Sequence, residues 1–285
     1  MTRVRMVERI LSAYATVEGA GVRLHRAFGY YEVPPFDPFL MLDDFRSPRS
    51  EDYLAGFPSY PHRGIETVTY MLNGSVEHAD SMGNAGSVNA GDVQWMTAGS
   101  GIIHSEMPQP VNGRIGGFQV WVNLPRANKM MKPRYQEIKH DQIPTVTPQK
   151  DITIKVISGV VDGVKGPVRD IIAAPQYLDI TLGPDTIFSH GVKEGHTAMA
   201  YVIGGEGTFD AKEGYRIGNR DLILFSDGDS IWASSFEKGF RFLFISGKPI
   251  REPVAWRGPI VMNTQEELRQ VFREYDEGTF IKTDA

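Results

Sequence analysis

The sequence predicts an all-β protein made of two related β units, with one helix near the C-terminal end. Three observations predict it. Apolar and polar residues alternate with period two over residues 66–72, 92–97, 118–124, 152–157, 177–182 and 240–245. The 30 glycines and 18 prolines punctuate these runs, as expected for many short strands folded into a sandwich or barrel. Three segments also recur in the same order roughly 130 residues downstream, which is the mark of a duplicated unit.

The first recurring segment runs from Thr67 through Tyr70 to Gly74 and returns from Ala198 through Tyr201 to Gly205. The second, from Asp92 to Gly99, returns as Asp221 to Gly228, and the third, from Gly117 and Phe118 to Pro125, returns as Gly239 and Phe240 to Pro249. The polar, proline-dotted stretch 132–148 reads as the linker, which assigns residues 1–132 to the first unit and 133–285 to the second. The exception to the β pattern is residues 263–275. There Thr264 followed by Glu267 forms a capping box, Leu268, Val271 and Phe272 share one helical face, and Gly278 ends the helix.

With 285 residues, 41% of them apolar and 23% charged, the chain can bury a substantial core and favours two domains over one. The net charge of −5 and the absence of any basic run exclude direct nucleic-acid binding. The longest apolar runs, such as 242–245, fall far short of a membrane span, and Glu8 interrupts the region where a signal peptide would need to be apolar. The expectation is a cytoplasmic protein, or a nuclear one in a eukaryote. There is no cysteine, so disulfides, thiolate catalysis and thiolate metal sites are excluded. Any metal must be held through nitrogen and oxygen.

Two short stretches carry the chemistry: Tyr60-Pro61-His62-Arg63-Gly64 and His104-Ser105-Glu106. If each is a strand, the i, i+2 spacing puts Tyr60 and His62 on one face, and His104 and Glu106 likewise. Two imidazoles and a carboxylate match the two-histidine-one-carboxylate triad that leaves open positions on non-haem Fe(II). Carried forward through the repeat, His62 lands on Lys193, and His104 and Glu106 land on Ala233 and Ser235, so the second unit lacks the set. His78, His25, His140, His190 and His196 read as structural imidazoles. Arg63 orients an anion or, more simply, pairs with Glu66. Tyr30 and Tyr31 line a pocket or merely pack, and Gly99-Ser100-Gly101 reads as the turn that delivers His104.

Residues 57–68, residues 91–108, and the later Arg251-Glu252-Pro253-Val254 with Gly258 through Thr264 strongly resemble the pirin family of the cupin superfamily, over most of the chain from Asp37 to Glu267. The resemblance implies a bicupin: two antiparallel β-barrels of the double-stranded β-helix type, with one divalent metal ion, Fe(II) above others, in the N-terminal barrel alone. It implies metal ligation by His62, His104 and Glu106. At the fourth position, where the family carries a further histidine, this chain has Tyr60. A phenol with a reference pKa near ~10 ligates strongly only after losing its proton, so Tyr60 is a phenolate ligand, a hydrogen-bond donor behind the ligands, or a spacer; Glu66 is the other candidate for the fourth ligand.

The resemblance further implies a dioxygenase acting with O2 on flavonols such as quercetin, with Glu106, or failing that Glu66, as general base. The alternative is a non-enzymatic, iron-dependent, redox-sensitive regulator that binds transcription factors or metabolic enzymes. Neither reading calls for a nucleic-acid or membrane partner.

Overall fold

Strands form where period two places them. In the computed structural model, which describes residues 3–33, 35–109, 113–212 and 214–282, the six alternating runs lie on the strands Ile65–Asn73, Val93–Thr97, Gly116–Asn123, Ile152–Ser158, Gln176–Leu182 and Ser230–Gly247. The helix is Gln265–Asp276. Thr264 caps it, accepting from the Glu267 backbone while the Glu267 carboxylate accepts from the Thr264 backbone. Gly278, at φ +73°, ends it. Among the described residues no helix is long and apolar enough to cross a membrane.

The chain forms two compact units, each discontinuous in sequence. One consists of the N-terminal stretch to Ala13, a short link ending at Pro38, and Asp141–Pro249. The other consists of Tyr14–Val33, Phe39–His140 and the chain from Ile250 onward. This redraws the linear division expected after residue 132. Val7–Ser12 pairs antiparallel with Asp221–Phe225, so the N-terminus belongs with the later half. Arg134–Ile138, read above as linker, is an edge strand paired with Val93–Thr97. A partly exposed edge strand needs no apolar alternation, so Arg134-Tyr135-Gln136-Glu137 gave no strand signal.

The two units repeat one strand order. The sheet of the site-bearing unit runs Arg134–Ile138, Val93–Thr97, Ile65–Asn73, Gly116–Asn123, Phe39–Asp44, Val22–Phe28, Tyr14–Glu18. That of the other runs Val7–Ser12, Asp221–Phe225, Thr197–Thr208, Ser230–Gly247, Gln176–Leu182, Ile152–Ser158, Thr145–Val146. Both are cupin barrels, and the molecule is a bicupin, as expected.

Cross-strand partners test the repeat residue by residue. Tyr70 lies opposite Val93 and Tyr201 opposite Leu222, so the first two segments correspond as the sequence suggests. Tyr70 also lies opposite Phe118, whereas Tyr201 lies opposite Leu243 and not Phe240. The third segment is therefore three residues out of register. An odd shift exchanges the two faces of a strand, so the true counterparts of the inward side chains differ from those the sequence blocks suggest.

Candidate metal centre

The two motif stretches are neighbouring antiparallel strands, Phe57–His62 and Ile102–Gln109, with His62 opposite Ile102 and Tyr60 opposite His104. Just beyond His62, the Gly64 N–H donates to the Gly99 carbonyl at 2.9 Å. Gly64 sits at φ +79°, and a Cβ there would lie 2.0 Å from the Val261 carbonyl oxygen, so only glycine admits this approach. The rings of His62 and His104 are 5.2 Å apart between centroids, and Tyr60 lies 5.0 and 4.6 Å from them.

Each imidazole is buried and has nitrogen to spare. His62 Nδ1 lies 3.0 Å from the Pro259 carbonyl, which can only accept, so the proton sits on Nδ1. That leaves Nε2 buried and, among the described residues, without a partner, and neither nitrogen of His104 has one there. Burial, then the neighbouring His104, lowers the His62 pKa to about 3. Burial and His78 lower that of His104 to about 4. Both rings are neutral at pH 7, each with a lone pair to give.

Glu106 is held by two donors. The Tyr60 hydroxyl donates to Oε2 at 2.5 Å, and Gln119 Nε2 donates to the same oxygen at 3.3 Å. Gln119 is itself oriented, because its Oε1 accepts from Trp121 Nε1 at 3.1 Å and an indole N–H can only donate. Burial and the adjacent Glu106 push the Tyr60 phenol well above its ordinary pKa. Tyr60 therefore stands as a neutral hydrogen-bond donor to the carboxylate.

Glu66 spends one oxygen on the fold, while its Oε2 is buried without a partner among the described residues. Its Oε1 accepts from Thr97 Oγ1 at 2.7 Å, and burial raises its pKa. Arg63 does not pair with Glu66: its guanidinium donates to Glu274 at 2.7 Å and to the Phe280 carbonyl at 2.6 Å, over the Phe280 ring. His78 meets Glu137 at 2.9 Å, in keeping with a structural role. Three contributors went unnoticed in the sequence: Gln119, the Pro259 carbonyl, and Lys129. Buried Lys129 donates to Gly64 O, Asn123 Oδ1 and Val261 O at 2.9, 2.7 and 3.0 Å, and burial lowers its pKa to about 7. Gln119 carried the one usable signal, a polar residue between Phe118 and Val120 in the interior of a strand.

The donor chemistry fits a metal ion: two neutral, buried imidazoles with unpartnered nitrogens, and a carboxylate close by. Among the described residues no three His, Asp or Glu side chains already stand grouped as a metal site; Glu106 is engaged by Tyr60 and Gln119 instead. In the other unit, register corrects the correspondence drawn from sequence. Ala233, the counterpart of His104, lies opposite Phe188, and His190 lies opposite Ile231. Tyr60 and His62 thus answer to Phe188 and His190, not to Lys193. The second unit keeps an imidazole, but His190 Nε2 is paired with Gln176 Oε1 at 2.9 Å and its ring stacks on Phe188.

The Tyr60 and Glu106 side of the site borders a cavity of about 620 Å³, whose walls also include Gln119, Trp121, Tyr30 and Trp256. Tyr30 lines the cavity, with its ring 5.5 Å from that of Trp256.

A family model described as Pirin matches residues 21–122, and one described as Pirin C-terminal cupin domain matches residues 177–281. A pirin-like protein of Caulobacter vibrioides is 44% identical over 283 residues, covering 97% of this chain and 99% of that protein. One of Solanum lycopersicum is 41% identical over 280 residues, covering 97% and 93%. The crystal structure of a quercetin 2,3-dioxygenase from Acinetobacter baumannii superposes with a TM-score of 0.89 at 30% identity, covering 98% of this chain and 99% of that one.

Proposed function

The chain belongs to the pirin family, and from that premise we propose that it is a metal-dependent dioxygenase that opens the central heterocycle of flavonols such as quercetin with O2, releasing carbon monoxide. One observation carries the reading: two neutral, buried imidazoles with unpartnered nitrogens pack against Tyr60, whose hydroxyl donates to Glu106, and both Tyr60 and Glu106 line a cavity with aromatic sides. The similarity to a quercetin 2,3-dioxygenase structure over nearly the full chain supports it.

In this reading His62, His104 and Glu106 hold one divalent ion, for which the donor set favours Fe(II). When bound, the ion supplies Lewis acidity toward the flavonol's 3-hydroxyl oxygen and redox access to O2. The chain's own residues do the rest. The Pro259 carbonyl fixes the His62 tautomer, so that Nε2 carries a lone pair and no proton. Glu106, already an acceptor toward Tyr60 and Gln119, takes the proton of the 3-hydroxyl as general base. Tyr60 keeps its own proton and steadies the carboxylate. Trp121 and Trp256, 5.8 Å apart between ring centroids, offer flat apolar surface to a planar ligand.

The alternative reading, an iron-dependent regulator that binds protein partners, comes from the family resemblance and would gain support from phenolate ligation by Tyr60, which discriminates Fe(III) from Fe(II). The Tyr60 hydrogen bond and its raised pKa weaken that support. The test is aerobic turnover of quercetin by Fe(II)-loaded protein, followed at the flavonol's visible absorbance. Turnover that is lost on chelation is expected. A fully loaded protein that leaves quercetin intact overturns the reading.

A further inference from the structure

The cavity floor carries an ordered polar row. Thr69 lies opposite Gln119, Gln119 opposite Asp43, and Asp43 opposite Arg26, on four successive strands, and all four residues line the cavity. Neighbouring strands are about 4.8 Å apart, so the row extends roughly 10 Å from Gln119, beside Glu106, to Arg26. The flanking positions on the same strand faces, Leu24, Met41 and Trp121, are apolar or aromatic and line the cavity too. The row is therefore a polar track across an otherwise apolar floor.

The far end of the track is acidic. Arg26 donates Nε and Nη2 to the two oxygens of Asp43, each at 2.8 Å, and Nη1 lies 2.8 Å from Glu18, which also lines the cavity. One guanidinium thus faces two carboxylates, leaving a net charge of −1 when both are ionised. The fork of Arg26 is already committed, while each carboxylate oxygen keeps a second lone pair. An incoming group meets acceptors at this end, and a fixed anion there would be desolvated against them.

We propose that the Asp43, Arg26 and Glu18 end of the row is a second recognition element, which accepts an uncharged, hydroxyl-bearing ring and rejects an anionic one. The inference deepens the flavonol reading and rests on it. The near end, at Glu106, takes the hydroxyl that loses its proton, and the far end takes hydroxyls that keep theirs. Substrates are then neutral polyphenols, and conjugates bearing a carboxylate or sulfate on the distal ring are excluded.

The test uses two flavonols that differ only in charge, a 4′-carboxamide and the matching 4′-carboxylate. Binding is read by quenching of the intrinsic fluorescence of Trp121 and Trp256, with and without Fe(II). The carboxylate is expected to bind at least tenfold more weakly than the carboxamide. In Glu18→Gln, a change at a side chain 38% exposed, that gap should shrink several-fold. Equal or tighter binding of the carboxylate, or a gap unchanged in Glu18→Gln, overturns the recognition element alone. Failure of both the carboxamide and quercetin itself to quench overturns the flavonol reading, and this inference with it.

Discussion

The two barrels share a strand order and differ along one row. Across five strands of the site-bearing unit the cross-strand partners read Gln94, Thr69, Gln119, Asp43, Arg26. At the matching positions of the other unit they read Ile223, Ala200, Phe244, Leu178, Val156. All five of the latter lie in one buried apolar cluster, together with Phe188, Phe209, Phe225, Phe240 and Phe242. An apolar row closes on itself, because each side chain gains by leaving water and by filling space. A polar row needs partners, and what it leaves is a cavity lined with groups able to bind. One duplicated fold thus carries an apolar, buried row in one barrel and a polar, cavity-lining row in the other, and the difference lies in a few inward side chains.

The metal content separates the two barrels most strongly. One per chain is expected, lost in His62→Ala/His104→Ala and retained in His190→Ala, because His190 spends its Nε2 on Gln176. Elemental analysis of protein purified without added metal measures this. Two ions per chain, or loss of metal on replacing His190, would mean that the second barrel is not the silent copy.

The next largest effect concerns packing. Phe244→Ala, in the buried apolar row, should cost about 3–5 kcal/mol in a denaturant melt. Gln119→Leu, beside the cavity, should cost under about 1.5 kcal/mol, since it removes polar partners without opening a void, yet it should weaken flavonol binding. Similar stability losses for the two variants would show that the polar row is packed as tightly as the apolar one.

A smaller effect is set by pH. His62 and His104 have folded pKa values of about 3 and about 4, below the ~6.5 of an unfolded chain. The unfolded state therefore takes up protons first as pH falls. Their contribution is complete above pH ~6.5 and is lost as pH falls to about 4 for His104 and about 3 for His62, by about 1.4 kcal/mol per pH unit for each ring. His190, with its pKa also lowered to about 4 by burial, adds a like slope from the other barrel. His104→Gln should remove one proton's worth of slope from the metal-free protein, as read by melts across this range. An unchanged slope would show that His104 is charged in the fold.

The smallest expected effect is at Tyr60. Its counterpart Phe188 has no hydroxyl, so Tyr60→Phe makes the two barrels alike at that position. With the phenol protonated and bonded to Glu106, metal retention should survive the change. The oxidised, iron-loaded parent should show no phenolate-to-iron charge-transfer band. A band present in the parent and absent from Tyr60→Phe would make the phenol a ligand.

Local pattern was enough for much of this molecule. Period two marked the six interior strands, Thr264 with Glu267 announced the helix, and the i, i+2 spacing of His104 and Glu106 put both on the buried face of one strand. These signals are local, because strand pleat and helix caps involve residues a few positions apart. Register is not local. Which residue faces which is settled by packing between strands far apart in sequence, and so the sequence blocks matched His62 to Lys193 where pairing matches it to His190. The same reason hid the assignment of Val7–Ser12 to the later barrel, the Pro259 carbonyl that sets the His62 tautomer, and the Gln119–Glu106 contact. Each joins groups that neither periodicity nor spacing relates, and only the tertiary structure brings them within hydrogen-bonding reach.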